Sequence, residues 1–433
     1  MTDRLSPGEY FRDVLPNGLR VVTVEMPHLH SAEMLCYLGV GGRHEAGPVA
    51  GISHFLEHMV FRGTAEHPSS LHLEQAFERI GGAVNALTDP ETTCYHSRLH
   101  PDELRAGAAL FASMLRRPLL LDLEVERRII MEEALEELNE RGEDVSPDNL
   151  TARLMWPGHP LAVPTIGTRE SISRISGEDL RLHHRRHYTP TETVIAVAGR
   201  VCRAAVVDAV AAAFGDWQGG GAPAPLPVPP AADNGPEAIW VRDSDSQINL
   251  QLAFRLPGRE AGVSIALRVL RRVLSGSGAS RLMLRLRETL GLTYAVEANL
   301  ALLADTGAFS VDLAVAPENL IPAVREILAI FADLRRQPVG DEELSRVVQN
   351  FLFDLDFSRD HPDDMAGRYG WGETVNFLRT IGEDRRDIQA VTADDLQRAA
   401  RDLFVPAALK LAAVGPLKAR DRREVEKLLA GYV

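Results

Sequence analysis

A chain of 433 residues has material for roughly two to four compact domains. Its 45% apolar and 25% charged residues are the proportions of an ordinary globular protein and exclude intrinsic disorder, collagen and a coiled-coil rod. A formal charge of -14, with no lysine- or arginine-rich run, argues against a nucleic-acid partner, because binding phosphates needs a basic stripe.

In chain order, the N-terminal residues spread their charges and contain no apolar h-region, and no apolar run approaches the ~18 residues of a membrane-spanning helix. A cytoplasmic protein with no membrane partner is the expectation. The acid excess lies mainly in the first half: residues 1–217 carry 21 basic and 31 acidic groups, and the remainder 26 and 30. A strand pattern at 32–40 leads into a helix pattern ending at Gly63, and further helix patterns cover 102–115 and start at Asp122. Residues 218–236, QGGGAPAPLPVPPAADNGP, exclude helix and central strand and read as a partly stiff interdomain linker. Beyond it a strand pattern at 248–256 leads to a helix pattern ending at Gly276, followed by helix patterns at 318–334 and from Asp341. The second half therefore repeats the order of the first. This predicts an α+β fold of two similar domains, each a mainly antiparallel sheet packed against helices, at 1–217 and 237–433. Cys36, Cys94 and Cys202 are too few and too scattered for a disulfide scaffold or a sulfur-ligated metal site, and read as buried small hydrophobes.

The first helix carries His54-Phe55-Leu56-Glu57-His58. Residues i and i+4 share a helix face, so both imidazoles can point at one metal ion with Glu57 beside them, in the order H-x-x-E-H. A catalytic zinc needs three protein ligands and an open position. The acid-rich helix after Asp122 is the best source of the third, and Glu126 and Glu133 stand two turns apart on one face of it. Glu132, Glu136, Glu137 and Glu140 share that segment, and spacing alone does not choose among the six.

HFLEHMVFRGT at 54–64, GGAVNALTDPETTCY at 81–95, ERRIIMEEALEE from Glu126 and HPLAVPTIGT at 159–168 together resemble the pitrilysin/insulinase clan of inverted-zincin metallopeptidases. The likeness spans the chain and is nearest to the short bacterial members similar to the mitochondrial processing peptidase β-subunit. It implies one zinc ion held by His54, His58 and Glu133, with Glu57 the general base on a zinc-bound water and Glu126 a further catalytic-site acid close by. It also implies that the strand containing Asn85 and Ala86 accepts the substrate backbone as an added strand, and that Arg287 and Tyr294 hold the substrate and stabilise the tetrahedral intermediate. The implied activity is a zinc-dependent endopeptidase acting on peptides or unfolded segments. The implied assembly is a homodimer, or a heterodimer with a related subunit. The alternative reading is a non-catalytic scaffold or partner subunit sharing the fold.

The repeat offers a check. Aligned on Gly63 and Gly276, the positions of His54, Glu57 and His58 hold Leu267, Leu270 and Arg271; aligned on Asp122 and Asp341, those of Glu126 and Glu133 hold Ser345 and Leu352. All five metal-site residues are absent from the second copy, as expected of one active and one substrate-holding half. His183, His184 and His187 read as a solvated helix end rather than a second metal site, and His159 as structural. No phosphate-loop or dinucleotide fingerprint is present.

Overall fold

The computed structural model describes residues 10–220, 226–230, 235–262 and 264–432. They form two compact units. In the first, β1 (Phe11–Val14), β2 (Arg20–Glu25), β3 (Ala32–Leu38), β4 (Val84–Thr88), β5 (Thr93–Leu99) and β6 (Thr193–Gly199) make a sheet of order β1-β2-β6-β3-β5-β4. Only the β2–β6 pair is parallel. In the second, β7 (Glu237–Arg242), β8 (Ile248–Pro257), β9 (Val296–Leu302), β10 (Thr306–Val315) and β11 (Leu409–Gly415) take the order β7-β11-β8-β10-β9, with β7–β11 the parallel pair. Leaving out β1, the two orders are the same. In each, the strand latest in the chain inserts between the first two, and the second of these pairs with a hairpin whose leading strand forms the edge. The repeat expected from sequence is thus a repeat of topology in a mainly antiparallel α+β fold.

Burial explains the strand sequences. β3 (AEMLCYL) and β6 (TVIAVAG) are buried along their whole length, as central strands covered on both faces must be. β4 alternates: Val84 and Thr88 are buried, whereas Asn85 and Leu87 are exposed. Cys36 and Cys94 lie inside, as expected, but Cys202 is exposed because it stands just before the surface helix Arg203–Phe214. Among the described residues no helix is long and apolar enough to cross a membrane.

The units are discontinuous in sequence. The first comprises residues up to Ala134, Val163–Pro227 and Leu355–Glu383; the second comprises Leu135–Ala162, Val228–Asp354 and Asp384–Val433. They therefore differ from the contiguous 1–217 and 237–433 division expected above. Of the 218–236 segment, residues 221–225 and 231–234 lie outside the described residues, and the rest contains no helix or strand.

Two helices account for the difference. Helix Pro147–Met155, from the first half of the chain, covers β8 and β11 of the second unit: Leu150 packs with Ala412 and Val414, and Met155 with Ala253. Its Thr151 hydroxyl donates to Gln251, whose amide donates to Asp148 and to Asp312. Helix Pro362–Thr374, from the second half, lies on the first unit's sheet. There Tyr369 stacks on Tyr10 at 4.5 Å, and Glu373 binds Arg12 at 2.8 Å through its carboxylate and Arg20 at 2.8 Å through its backbone carbonyl. An amphipathic helix is stabilised by whichever apolar face it covers, and chain order does not enter. Gly370 makes that approach possible, since a Cβ there would stand 2.6 Å from Ala196 Cβ and 2.9 Å from the Tyr37 ring. Gly370→Val should therefore lower the unfolding free energy by about 2 kcal/mol or more, the size expected of overpacking, and urea unfolding of the two proteins measures it.

Candidate metal centre

The histidine helix, Ile52–Val60, starts at Gly51 with φ 86°, where a Cβ would meet the Ile166 carbonyl oxygen at 2.3 Å. Its first N–H groups are satisfied by a carboxylate from outside the helix: Glu45 accepts from Gly51 N at 2.5 Å and Ser53 N at 2.8 Å. Burial pushes Glu45 up to about 7 in spite of these bonds. Ile52, Phe55, Leu56, Met59 and Val60 face the core, which turns His54 and His58 to the opposite, half-buried side.

The acid helix, Leu123–Leu135, is docked against the histidine helix by several contacts. Gly63 O accepts from Leu119 N at 3.0 Å, Thr64 bridges to Pro118, and the Arg127 guanidinium lies 5.4 Å from the Phe55 ring centroid. Leu120 and Asp122 take positive φ, 51° and 57°, as the chain turns into the helix. Asp122 O then accepts from Val125 N and Glu126 N at 2.8 and 3.2 Å.

These contacts bring His54, His58 and Glu133 together. Nε2 of each ring stands 3.5 Å from a Glu133 oxygen, and the three potential ligand atoms lie within 4.8 Å of one another. Tetrahedral zinc with bonds near 2.1 Å spaces its donors about 3.4 Å apart, so two imidazoles and a carboxylate in this arrangement fit the ion. Among the described residues no other group of histidine, cysteine, aspartate or glutamate side chains meets that spacing. Burial, reinforced by His58, holds His54 down at about 4, so it is a neutral ring with a lone pair available.

Glu126 sits on the far side of His58, with Oε2 3.2 Å from Nδ1, while its other oxygen accepts from Arg62 Nε. Although burial opposes ionisation, the bond to His58 and the Arg62 guanidinium hold Glu126 below the usual carboxylate value. The reverse holds at His58: burial alone would lower its pKa, but Glu126, Glu57 and Glu133 raise it. Burial likewise lifts Glu57, whose Oε2 accepts from the Thr88 hydroxyl. Of the other acids weighed from sequence, Glu132, Glu136 and Glu140 are exposed and Glu137 accepts from Asn149 at 2.9 Å.

Asn85 and Ala86 lie on β4, the edge strand, Asn85 exposed and Ala86 half-buried. Arg287 and Tyr294 belong to the second unit and meet each other, the guanidinium 4.9 Å from a phenol ring that is 81% exposed. Arg287 lies in a π-helical segment, Met283–Thr289.

Arg62, Thr88 and Glu45 were not singled out from sequence, although Arg62, four residues after His58, was visible by helical spacing. The histidines of helix Gly177–His187 require a correction. His183 and His187 are buried, not solvated, because the helix packs its Leu180, His183 and His187 face inward. His183 Nε2 lies 3.1 Å from Ser53 Oγ, and the His187 ring stands between those of His183 and His44, with centroids at 4.6 and 6.2 Å. His159 is buried and its Nδ1 accepts from Leu161 N at 3.2 Å.

The first half of this duplicated α+β fold brings two histidines and a distant glutamate to one point, the donor set of a candidate metal site. The family description "Insulinase (Peptidase family M16)" matches residues 20–169, and "Peptidase M16 inactive domain" matches 174–351. A Mycobacterium tuberculosis protein named an "uncharacterized zinc protease" is 34% identical over 402 residues, covering 91% of this chain and 90% of that protein. A Bacillus subtilis protein with the same description is 30% identical, covering 90% and 94%. A probable mitochondrial-processing peptidase subunit beta of Arabidopsis thaliana is 26% identical, covering 96% and 80%. In fold, the crystal structure of a protease from Helicobacter pylori matches with a TM-score of 0.86 at 22% identity, covering 94% of this chain and all of that one. The chain belongs to the insulinase family of peptidases, family M16.

The buried histidines carry a pH dependence. An unfolded histidine titrates near 6.5, whereas burial, with His187 and His44 next to it, holds His183 down at about 3. As pH falls, the unfolded chain takes up this proton first, so stability is lost below about pH 6.5, by about 2 kcal/mol for this one group between pH 7 and pH 5. Urea midpoints at the two pH values should show the loss in the wild type and a correspondingly smaller one in His183→Asn.

Proposed function

We propose that this chain is a zinc-dependent endopeptidase that cleaves peptides or unfolded polypeptide segments. The observation that carries the reading is the convergence of both imidazole Nε2 atoms on one Glu133 carboxylate, 3.5 Å from each, with the buried Glu57 carboxylate on the same helix. His54, His58 and Glu133 would hold one zinc ion per chain, which supplies Lewis acidity to polarise a carbonyl and make water more acidic. Glu57 takes a proton from the attacking water and passes it to the leaving amine. Its buried position favours proton exchange nearer neutrality than an exposed carboxylate allows, and the Thr88 hydroxyl keeps it oriented.

The β4 edge, paired among the described residues only with β5, supports a binding mode in which an extended substrate adds a strand beside Asn85 and Ala86 through main-chain hydrogen bonds, with little demand on its sequence. Arg287 and Tyr294 enter as donors to the substrate backbone and to the developing oxyanion; their mutual stacking and exposure support that role. Relatives that include a processing-peptidase subunit, and the fold match to Complex III2 from Candida albicans with a TM-score of 0.75, support assembly with a partner subunit, here a second copy of the chain.

Purified wild type should contain stoichiometric zinc and hydrolyse a fluorogenic peptide, with the activity lost to a chelator and restored by zinc. Glu57→Gln should keep its zinc while turnover falls by about a hundredfold or more, the usual scale for a lost general base. A zinc-loaded wild type with no hydrolysis of any unfolded polypeptide would point instead to the scaffold reading. Arg287→Ala should reduce kcat/KM by about a hundredfold with zinc content unchanged, as expected for a lost oxyanion donor.

A further inference from the structure

We propose that Arg62 is a positioning residue of the metal site: it locks the Glu126 carboxylate, and through it fixes the tautomer and rotation of the His58 ring. This inference rests on the zinc reading of His54, His58 and Glu133.

Arg62 follows the histidine helix by two residues, with its backbone N–H still bonded to Met59 O at 3.1 Å. Its side chain is 18% exposed and its Nε donates to Glu126 Oε1. Oε2 of the same carboxylate, whose side chain is 8% exposed, faces His58 Nδ1 at 3.2 Å. The two oxygens are thus divided between the two partners. A carboxylate held by a guanidinium acts only as an acceptor, so the hydrogen between it and the ring belongs to His58 Nδ1. That leaves Nε2, on the Glu133 side, as the nitrogen available to a metal ion. The outer hydrogen bond of a ligating histidine commonly sets its tautomer and orientation in this way.

The other imidazole has no such support. His54 Nδ1 is buried and lacks a hydrogen-bond partner. Of the two imidazoles, His58 is therefore the one held in place before metal arrives, and Arg62 is the far end of that relay. Without Arg62, the Glu126 carboxylate would be left in a nearly closed site with the His58 ring as its one remaining partner in this relay, free to turn away from Nδ1.

Zinc affinity, read by competition with a chromogenic chelator on the full chain, tests the proposal. Arg62→Met should weaken zinc binding by about 10- to 100-fold, the range for a lost outer-shell partner, and Arg62→Lys should recover most of it because an ammonium can reach the same oxygen. In the metal-stripped proteins, at a pH where the His58 ring is neutral, nitrogen-15 NMR of His58 should show the Nδ1–H tautomer in the wild type and Arg62→Lys and a mixture in Arg62→Met. Equal zinc affinity and an unchanged tautomer in Arg62→Met would overturn the inference and leave the zinc site standing. So would a lowered thermal midpoint of the stripped Arg62→Met protein that Arg62→Lys shares without regaining zinc, since that marks a structural role. A wild type that binds no zinc would remove the site and this inference together.

Discussion

The candidate metal site depends on one carboxylate shared between His58 of the histidine helix and Arg62 just beyond its end. Two imidazoles on a buried helix would supply only part of a coordination shell, and the proposed third ligand arrives on a segment 75 residues beyond His58. Glu126, with one oxygen toward His58 and the other toward Arg62, sets the register in which that segment docks, and Glu133 follows two turns later on the same face. Removing one partner of a buried ionic contact is generally costly because it strands the other charge. The positive-φ turn at Leu120 and Asp122 and the Gly63–Leu119 bond serve the same register from the chain's entry side.

Much of this arrangement was readable from the residues. Helical spacing puts His54 and His58 on one face, and the repeat shows their counterparts replaced. Spacing could not separate Glu133 from its neighbours, because which acid reaches the imidazoles is set by how two helices pack. The Gly177–His187 helix misleads for a related reason: RLHHRRH looks polar throughout, but its His183 and His187 continue the inward stripe begun by Leu180. Thr88 is invisible as a partner for Glu57 until β4 is known to lie against the histidine helix. The helices at 147–155 and 362–374 were not read from the sequence, and a helix pattern would in any case state that a face is covered but not which sheet covers it.

The second unit shows what the fold requires when no metal chemistry is asked of it. The positions matching His54 and Glu57 hold Leu267 and Leu270, both buried in its core, and the position of Glu133 holds the buried Leu352. The positions of His58 and Glu126 hold Arg271 and Ser345, so three of the five places are apolar packing in the second unit, and the fold forms there without the histidine and glutamate set.

The exchange of helices between the two halves reaches back to the gene. A coding sequence divided within the glycine- and proline-rich segment would yield two polypeptides, each carrying the helix that covers the other's sheet and lacking the one that covers its own. Expressed alone, either would expose an apolar surface; expressed together, they would have to find each other to become soluble.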